Sequence, residues 1–236
     1  PVVTGAAGAA LAVIEATAKR NGSVCEVLGQ EFMATDSRLE RERQAFELRV
    51  GQEPPQTFAI RLLGRHQTEN AALAIRACQL LAQHDERLTP AVIRYGLAKA
   101  VWPGRFEIFP GTPRLILDGA HNPDGIRTLR QTLDDAFPGR AIVFLFGVLA
   151  DKNHAEMART LFRSSDRAVV VRPHSDRAAA VKDIAREIAD YVAAVKTGAT
   201  IAEGLALAKE WAGPNGIVCA AGSLYMIGEV RRIVVG

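Results

Sequence analysis

The feature that most constrains this chain is a series of apolar runs alternating with helical patterns beyond residue 105. Arg114–Leu117, Ala141–Phe146, Ala168–Val171 and Ile217–Ala220 read as strands. The run 141–146 is apolar almost without a break, as a strand buried on both faces must be. Between these runs the spacing predicts helices over 122–136, 154–162, 178–191, 200–211 and 223–233, with a weak strand at 192–195. Repeated strand–helix units imply an α/β, Rossmann-like, mainly parallel sheet covered on both faces. Ligands of such a sheet bind outside the carboxyl ends of its strands.

The first hundred residues have another rhythm. Ala9–Lys19 carries Leu11, Val13, Ile14 and Ala18 at helical spacing, after a turn at Gly5–Gly8. Val24–Leu28 is a short strand candidate, and the polar stretch Thr35–Arg43 is expected to be a surface loop. Phe46, Leu48 and Val50 alternate with Glu47 and Arg49, so this strand should be half-buried. The turn 51–56 would pair it with Thr57–Leu63 as a hairpin. Helices follow at 68–81 and from Thr89-Pro90, a cap with proline at the first helical position, to about Lys99. Trp102-Pro103-Gly104-Arg105 then breaks the pattern, which places a domain boundary between 1–101 and 102–236.

Composition removes several classes of function. The 48% of hydrophobic and 23% of charged residues are ordinary for a soluble globular protein. The net charge of +3 comes from interspersed signs, without the basic cluster that nucleic acid requires. No apolar stretch approaches the ~18 residues that span a membrane. Cys25, Cys78 and Cys219 are distant and odd in number, which argues against a zinc pair, a redox dithiol or a disulfide framework and for a reducing, cytoplasmic setting. The opening Pro1-Val2-Val3-Thr4-Gly5 reads as the end of a strand entering a turn, with no initiator methionine, as a fragment would.

Three polar clusters fall at the carboxyl ends of the predicted strands. In Asp118-Gly119-Ala120-His121-Asn122-Pro123 the aspartate can accept from a ribose or an amine, and the histidine can donate to a phosphate or carboxylate. Asn122 before Pro123 is a helix cap that turns free N–H groups toward an anion; a capped turn with a solvent-facing aspartate is the plainer alternative. Gly147-Val148-Leu149-Ala150-Asp151-Lys152 is either a solvated loop or a second part of the site. Ser223, after Gly222, is an N-cap or, near an anion, a carboxylate ligand. Arg177 lies on a fourth loop and reads as a surface arginine, Asn70 opens a helix after His66-Gln67, and Arg105 is a boundary ion-pair candidate. No metal-ligand spacing, nucleophile elbow or Gly-x-x-x-x-Gly-Lys-Ser/Thr loop is present, and Gly5-Ala6-Ala7-Gly8 has no lysine after it.

In order and spacing, Pro1–Gly5, His66-Gln67 with Asn70-Ala71, Trp102–Arg105, Asp118–Pro123, Gly147–Lys152 and Gly222-Ser223-Leu224-Tyr225 resemble folylpolyglutamate synthase. That enzyme often doubles as dihydrofolate synthase and belongs to the Mur ligase superfamily. The resemblance implies that 1–101 is the C-terminal part of a P-loop-type ATPase α/β domain and 102–236 the glutamate-ligase domain. It assigns Asn70, Arg105 and Asp118 to ATP, and His121 and Ser223 to the incoming L-glutamate. Arg105, His121 and Lys152 become the candidates for catalysis. The implied reaction activates a folate carboxylate as an acyl phosphate, with ATP and Mg2+, and then forms an amide with glutamate. The resemblance also implies a hinge at 101–105 beside a cleft between two domains. The family's phosphate-binding loop, magnesium ligands, modified lysine and most of its folate pocket would lie upstream of Pro1. The chain alone is therefore expected to be inactive, with the missing N-terminal region as its partner. Two other readings follow: a truncated homologue that binds nucleotide or amino acid without catalysis, and a related Mur-type ligase with another acceptor.

Overall fold

A computed structural model describes residues 1–40 and 42–236. The chain divides into two compact units, Pro1–Val101 and Trp102–Gly236.

In the first unit β1 (Val2–Thr4) and β2 (Cys25–Val27) pair in parallel and are joined by α1 (Gly8–Arg20). An antiparallel sheet follows, made of β3 (Phe32–Glu40), β4 (Arg43–Val50) and β5 (Gln56–Ile60) in that order. The helices α2 (Arg65–Leu81) and α3 (Pro90–Lys99) complete the unit. Phe32, Phe46, Leu48, Phe58 and Ile60 pack on Ala71, Ala72 and Ile75 of α2 and Ile93 of α3. Phe46 and Phe58 face each other across β4 and β5, their rings stacked at 5.9 Å. Glu26 of β2 is held by two nitrogens of the Arg76 guanidinium from α2. As its sequence predicts, α3 starts on Thr89, whose hydroxyl accepts the Val92 N–H at 3.3 Å.

The loop expected over 35–43 is instead the end of β3 and the start of β4. Of that stretch, Arg41 lies outside the described residues. Beyond Phe32 the strand buries no residue fully, so hydrophobicity carries no period of two to read. Its register also shifts between Thr35 and Arg38, where Asp36 adopts φ 50°. Both features mimic a loop in sequence.

The second unit contains β6 (Glu107–Phe109), β7 (Arg114–Leu117), α4 (Pro123–Ala136), β8 (Val143–Phe146), α5 (His154–Leu161) and β9 (Arg167–Val170). It continues with α6 (Val181–Ile188), β10 (Ala194–Thr197), α7 (Ile201–Ala212), β11 (Ile217–Ala221) and α8 (Leu224–Val235). The sheet runs β10-β9-β8-β11-β7-β6, parallel throughout except for β6, which is antiparallel to β7. Leu115, Leu117, Val143, Leu145, Val169, Val218 and Ala220 meet Ile201, Leu205 and Ala208 of α7 and Met226, Ile227 and Val230 of α8. The residues between them point to the other face. There Phe162 sets its ring edge-on to Phe144 at 5.2 Å and to Phe146 at 5.4 Å. This is the Rossmann-like layout that the apolar runs imply. Helix α6 is shorter than expected because residues 172–180 form a loop, in which Ala178 bridges to Leu149. Among the described residues no helix is long and apolar enough to cross a membrane.

One buried ion pair braces the edge of this sheet away from the carboxyl ends. Asp166, only 1% exposed, precedes β9 and accepts the Ile142 N–H at 2.8 Å and the Arg163 N–H at 3.0 Å. Arg130 of α4, itself buried, donates to it at 3.2 Å and to Asp134 at 2.6 Å. Burial raises the Asp166 carboxyl above its ordinary range, against the pull of the Ile142 N–H and the Arg130 guanidinium.

Candidate active site

The carboxyl ends of β7, β8 and β11 lie side by side, so the loops after them share one edge of the sheet. The loop after β7 bends at once because Asp118 folds back on its own backbone. One carboxylate oxygen accepts the Ala120 N–H and the other the Phe106 N–H, both at 2.8 Å. Asp118 is thus a structural clamp as well as a candidate ligand, with one further lone pair on each oxygen. Burial pushes its carboxyl above the ordinary range, outweighing those two N–H groups and the nearby Arg105 guanidinium.

Gly119 donates to the Gly104 carbonyl at 2.7 Å. A Cβ at this position would lie 2.5 Å from Leu224 Cδ2 and 3.3 Å from that same carbonyl oxygen, so any side chain here would have to displace Leu224 and crowd the carbonyl. The His121 Nδ1 is 2.8 Å from the Gly119 carbonyl oxygen. A carbonyl only accepts, so Nδ1 carries the proton. The Nε2 is then an acceptor in the neutral ring and a donor in the imidazolium. Asn122 caps α4 as its sequence suggests, accepting the Gly125 N–H at 2.8 Å.

Gly222 joins this loop to the end of β11 by donating to the Ala120 carbonyl at 2.9 Å. Its φ of +111°, with a hypothetical Cβ 2.5 Å from the Gly147 oxygen, admits only glycine. The turn delivers Ser223 to the start of α8. Ser223 occupies the N-cap position but makes no side-chain cap bond. Its hydroxyl is buried and has no hydrogen-bond partner among the described residues. The capping role open to it in sequence is therefore unfilled. A buried, unpaired hydroxyl costs about 1–3 kcal/mol. Ser223→Ala should accordingly stabilise the ligand-free second unit by about 1 kcal/mol, read from urea unfolding by tryptophan fluorescence. Both tryptophans, Trp102 and Trp211, lie in that unit.

The loop after β8 holds Lys152, and it is zipped to the loop after β9. Ala150 donates to the Arg177 carbonyl at 2.8 Å and Ala179 to the Val148 carbonyl at 3.0 Å. Asp151 receives both cations, Arg177 at 2.7 Å and Lys152 at 3.4 Å. Arg177 is exposed, as its sequence suggests, but it is paired, and spacing alone gave no sign of its partner. Arg105 is exposed on a turn whose N–H donates to the Trp102 carbonyl at 3.2 Å. Gly104 and Phe106 are hydrogen-bonded into the second unit, and the division between the units falls between Val101 and Trp102, within the stretch 101–105. Asn70 belongs to the other unit, exposed in the second turn of α2, where it donates to Gln67 at 3.3 Å. Among the described residues no three His, Cys, Asp or Glu side chains come together to hold a metal ion.

Residues 104–224, which carry all of this carboxyl edge, match the Mur ligase glutamate ligase domain. The chain belongs to the Mur ligase family. Among its relatives is the folylpolyglutamate synthase of Lacticaseibacillus casei, 37% identical over 163 residues, which are 68% of this chain and 38% of that protein. The dihydrofolate synthase/folylpolyglutamate synthase of Bacillus subtilis is 29% identical over 226 residues, 94% of this chain and 52% of that enzyme. A solved structure of Mycobacterium tuberculosis folylpolyglutamate synthase complexed with ADP superposes with a TM-score of 0.84 and 25% identity, covering 98% of this chain and 54% of that one. This Mur ligase chain thus spans about half the length of the relatives it matches, or less.

Proposed function

We propose that this chain is the glutamate-adding part of an ATP-dependent ligase that joins L-glutamate to the γ-carboxylate of folates. The observation that carries the reading is the buried Ser223 hydroxyl beside the Asp118–His121 loop. No acceptor among the described residues meets it, and a substrate carboxylate would be one. His121 would present its Nε2 to the same substrate. Asp118, through its remaining lone pairs, and Asn70 serve the nucleotide. Arg105 offsets phosphate charge, and Lys152, held beside Asp151, offsets the charge of the acyl phosphate.

The chemistry asks for these groups. A folate carboxylate oxygen attacks the γ-phosphorus of ATP and ADP leaves. The glutamate nitrogen then attacks the acyl carbon, phosphate leaves, and the nitrogen gives up a proton. Mg2+ would neutralise phosphate charge during the first step, on ligands from outside these residues. Residues 1–101 would be the closing part of the ATPase domain, and the region carrying the phosphate-binding loop would be the partner without which this chain is inactive. The reaction would run in the cytoplasm.

The test is incorporation of labelled glutamate, by the chain joined to the half it lacks relative to the curated enzymes. ATP-dependent labelling of a folate, with no labelling by the 236-residue chain alone, is the expected result. Labelling of a non-folate acid in preference to every folate would overturn the acceptor assignment.

A further inference from the structure

The turn that presents Arg105 is fastened to the second unit by Asp118 and by groups that the proposed chemistry does not use. Gly104 donates its N–H to Glu107 at 2.8 Å, and its carbonyl accepts from Gly119. Phe106, one residue beyond Arg105, is held by Asp118 and adopts φ 44°. Glu107 is the junction. It belongs to β6, opposite Leu117 of β7, and its carboxylate also receives the Arg231 Nε at 3.1 Å on each oxygen. Arg231 lies on α8, the helix that Ser223 opens, about two turns further on.

We propose that Glu107, backed by Arg231, is a positioning residue that fixes the turn carrying Arg105, so that Arg105 moves as part of the Trp102–Gly236 unit. The inference rests on the reading that Arg105 meets the nucleotide phosphates. An arginine on a long flexible stem loses less freedom on binding a phosphate when its backbone is already placed. The Glu107 side chain is 18% exposed and that of Arg231 38%, so the pair contributes modestly to stability as an ion pair. Its loss should loosen the turn and leave the unit folded.

The experiment has two arms, with Glu107→Ala and Glu107→Gln. In the 236-residue chain, trypsin cleavage of the Arg105–Phe106 bond is followed by mass spectrometry, and the fold by far-ultraviolet circular dichroism. Glu107→Ala should speed that cleavage about tenfold or more with a nearly unchanged melting temperature. Glu107→Gln, whose carbonyl still accepts the Gly104 N–H, should stay near wild type. In the complete ligase, Glu107→Ala should raise the KM for ATP as Arg105→Ala does, leaving the KM for glutamate in place. The double variant should be little worse than Arg105→Ala alone.

Unchanged cleavage in Glu107→Ala would overturn the proposal whatever the ligase does. Fully additive effects of Glu107→Ala and Arg105→Ala on ATP kinetics would refute positioning through Arg105. If Arg105→Ala leaves ATP kinetics unchanged, the nucleotide reading of Arg105 falls and this role with it, while cleavage still decides whether the turn is clamped.

Discussion

Asp166→Ala should destabilise the second unit by about 3–5 kcal/mol, much of the 5–15 kcal/mol that holds a typical domain folded. Three groups lose their acceptor at once. The Ile142 and Arg163 N–H groups are left without the carboxylate, and the buried Arg130 keeps the half-exposed Asp134 and a long, 3.5 Å bond to the Leu161 carbonyl. The cost comes from the unpaired remainder and not from any large net worth of the ion pair. Arg130→Met together with Asp166→Asn should therefore recover part of the loss, because the stranded charge is gone. Urea unfolding followed by tryptophan fluorescence reads the effect. A loss below about 1 kcal/mol for Asp166→Ala would show that this network is not what braces β8 and β9.

Asp118→Ala should cost about 2–4 kcal/mol, since it leaves the N–H groups of Phe106 and Ala120 without their acceptor inside the protein. Asp118→Asn should cost less, because its carbonyl keeps one of the two bonds while its amide NH2 faces the other donor. The pH dependence has a definite sign. Burial raises the folded-state pKa of Asp118, so the fold binds this proton more tightly than the unfolded chain does. That stabilisation is fully present below the ordinary aspartate value, about 3.9, and fades as pH rises through the raised one. The stability gap between wild type and Asp118→Asn should thus be wider near pH 3.5 than at pH 7, by roughly the size of the pKa shift. A gap that widens as pH rises would mean that the two N–H groups outweigh burial. The same variants in the complete ligase should bind ATP less well. Part of that effect would come through the loosened Arg105 turn and part through contacts to the nucleotide.

Much of the second unit was legible because its strands are buried on both faces. Val143–Phe146 is wholly buried, and such a run has few readings other than a central parallel strand. The edge elements were harder. The short strand β6 has three half-buried residues and no pattern, and β3 hides behind a register shift and polar half-burial. The polar cluster from Asp118 to Ser223 could be located because a carboxyl-edge site follows from sheet topology. What each side chain does could not be read locally. Asp118 clamps two amides, Ser223 leaves its cap unmade, and Arg177 meets Asp151. The partners Glu107 and Arg231 are 124 residues apart, and no spacing rule connects them.

The most direct test of the account is the KM for L-glutamate of Ser223→Ala in the complete ligase. An orphaned hydroxyl kept for a substrate carboxylate should raise that KM about tenfold or more when removed, with the KM for ATP nearly unchanged. An unchanged glutamate KM would contradict the account, because the buried Ser223 hydroxyl would then have no part in holding the amino acid.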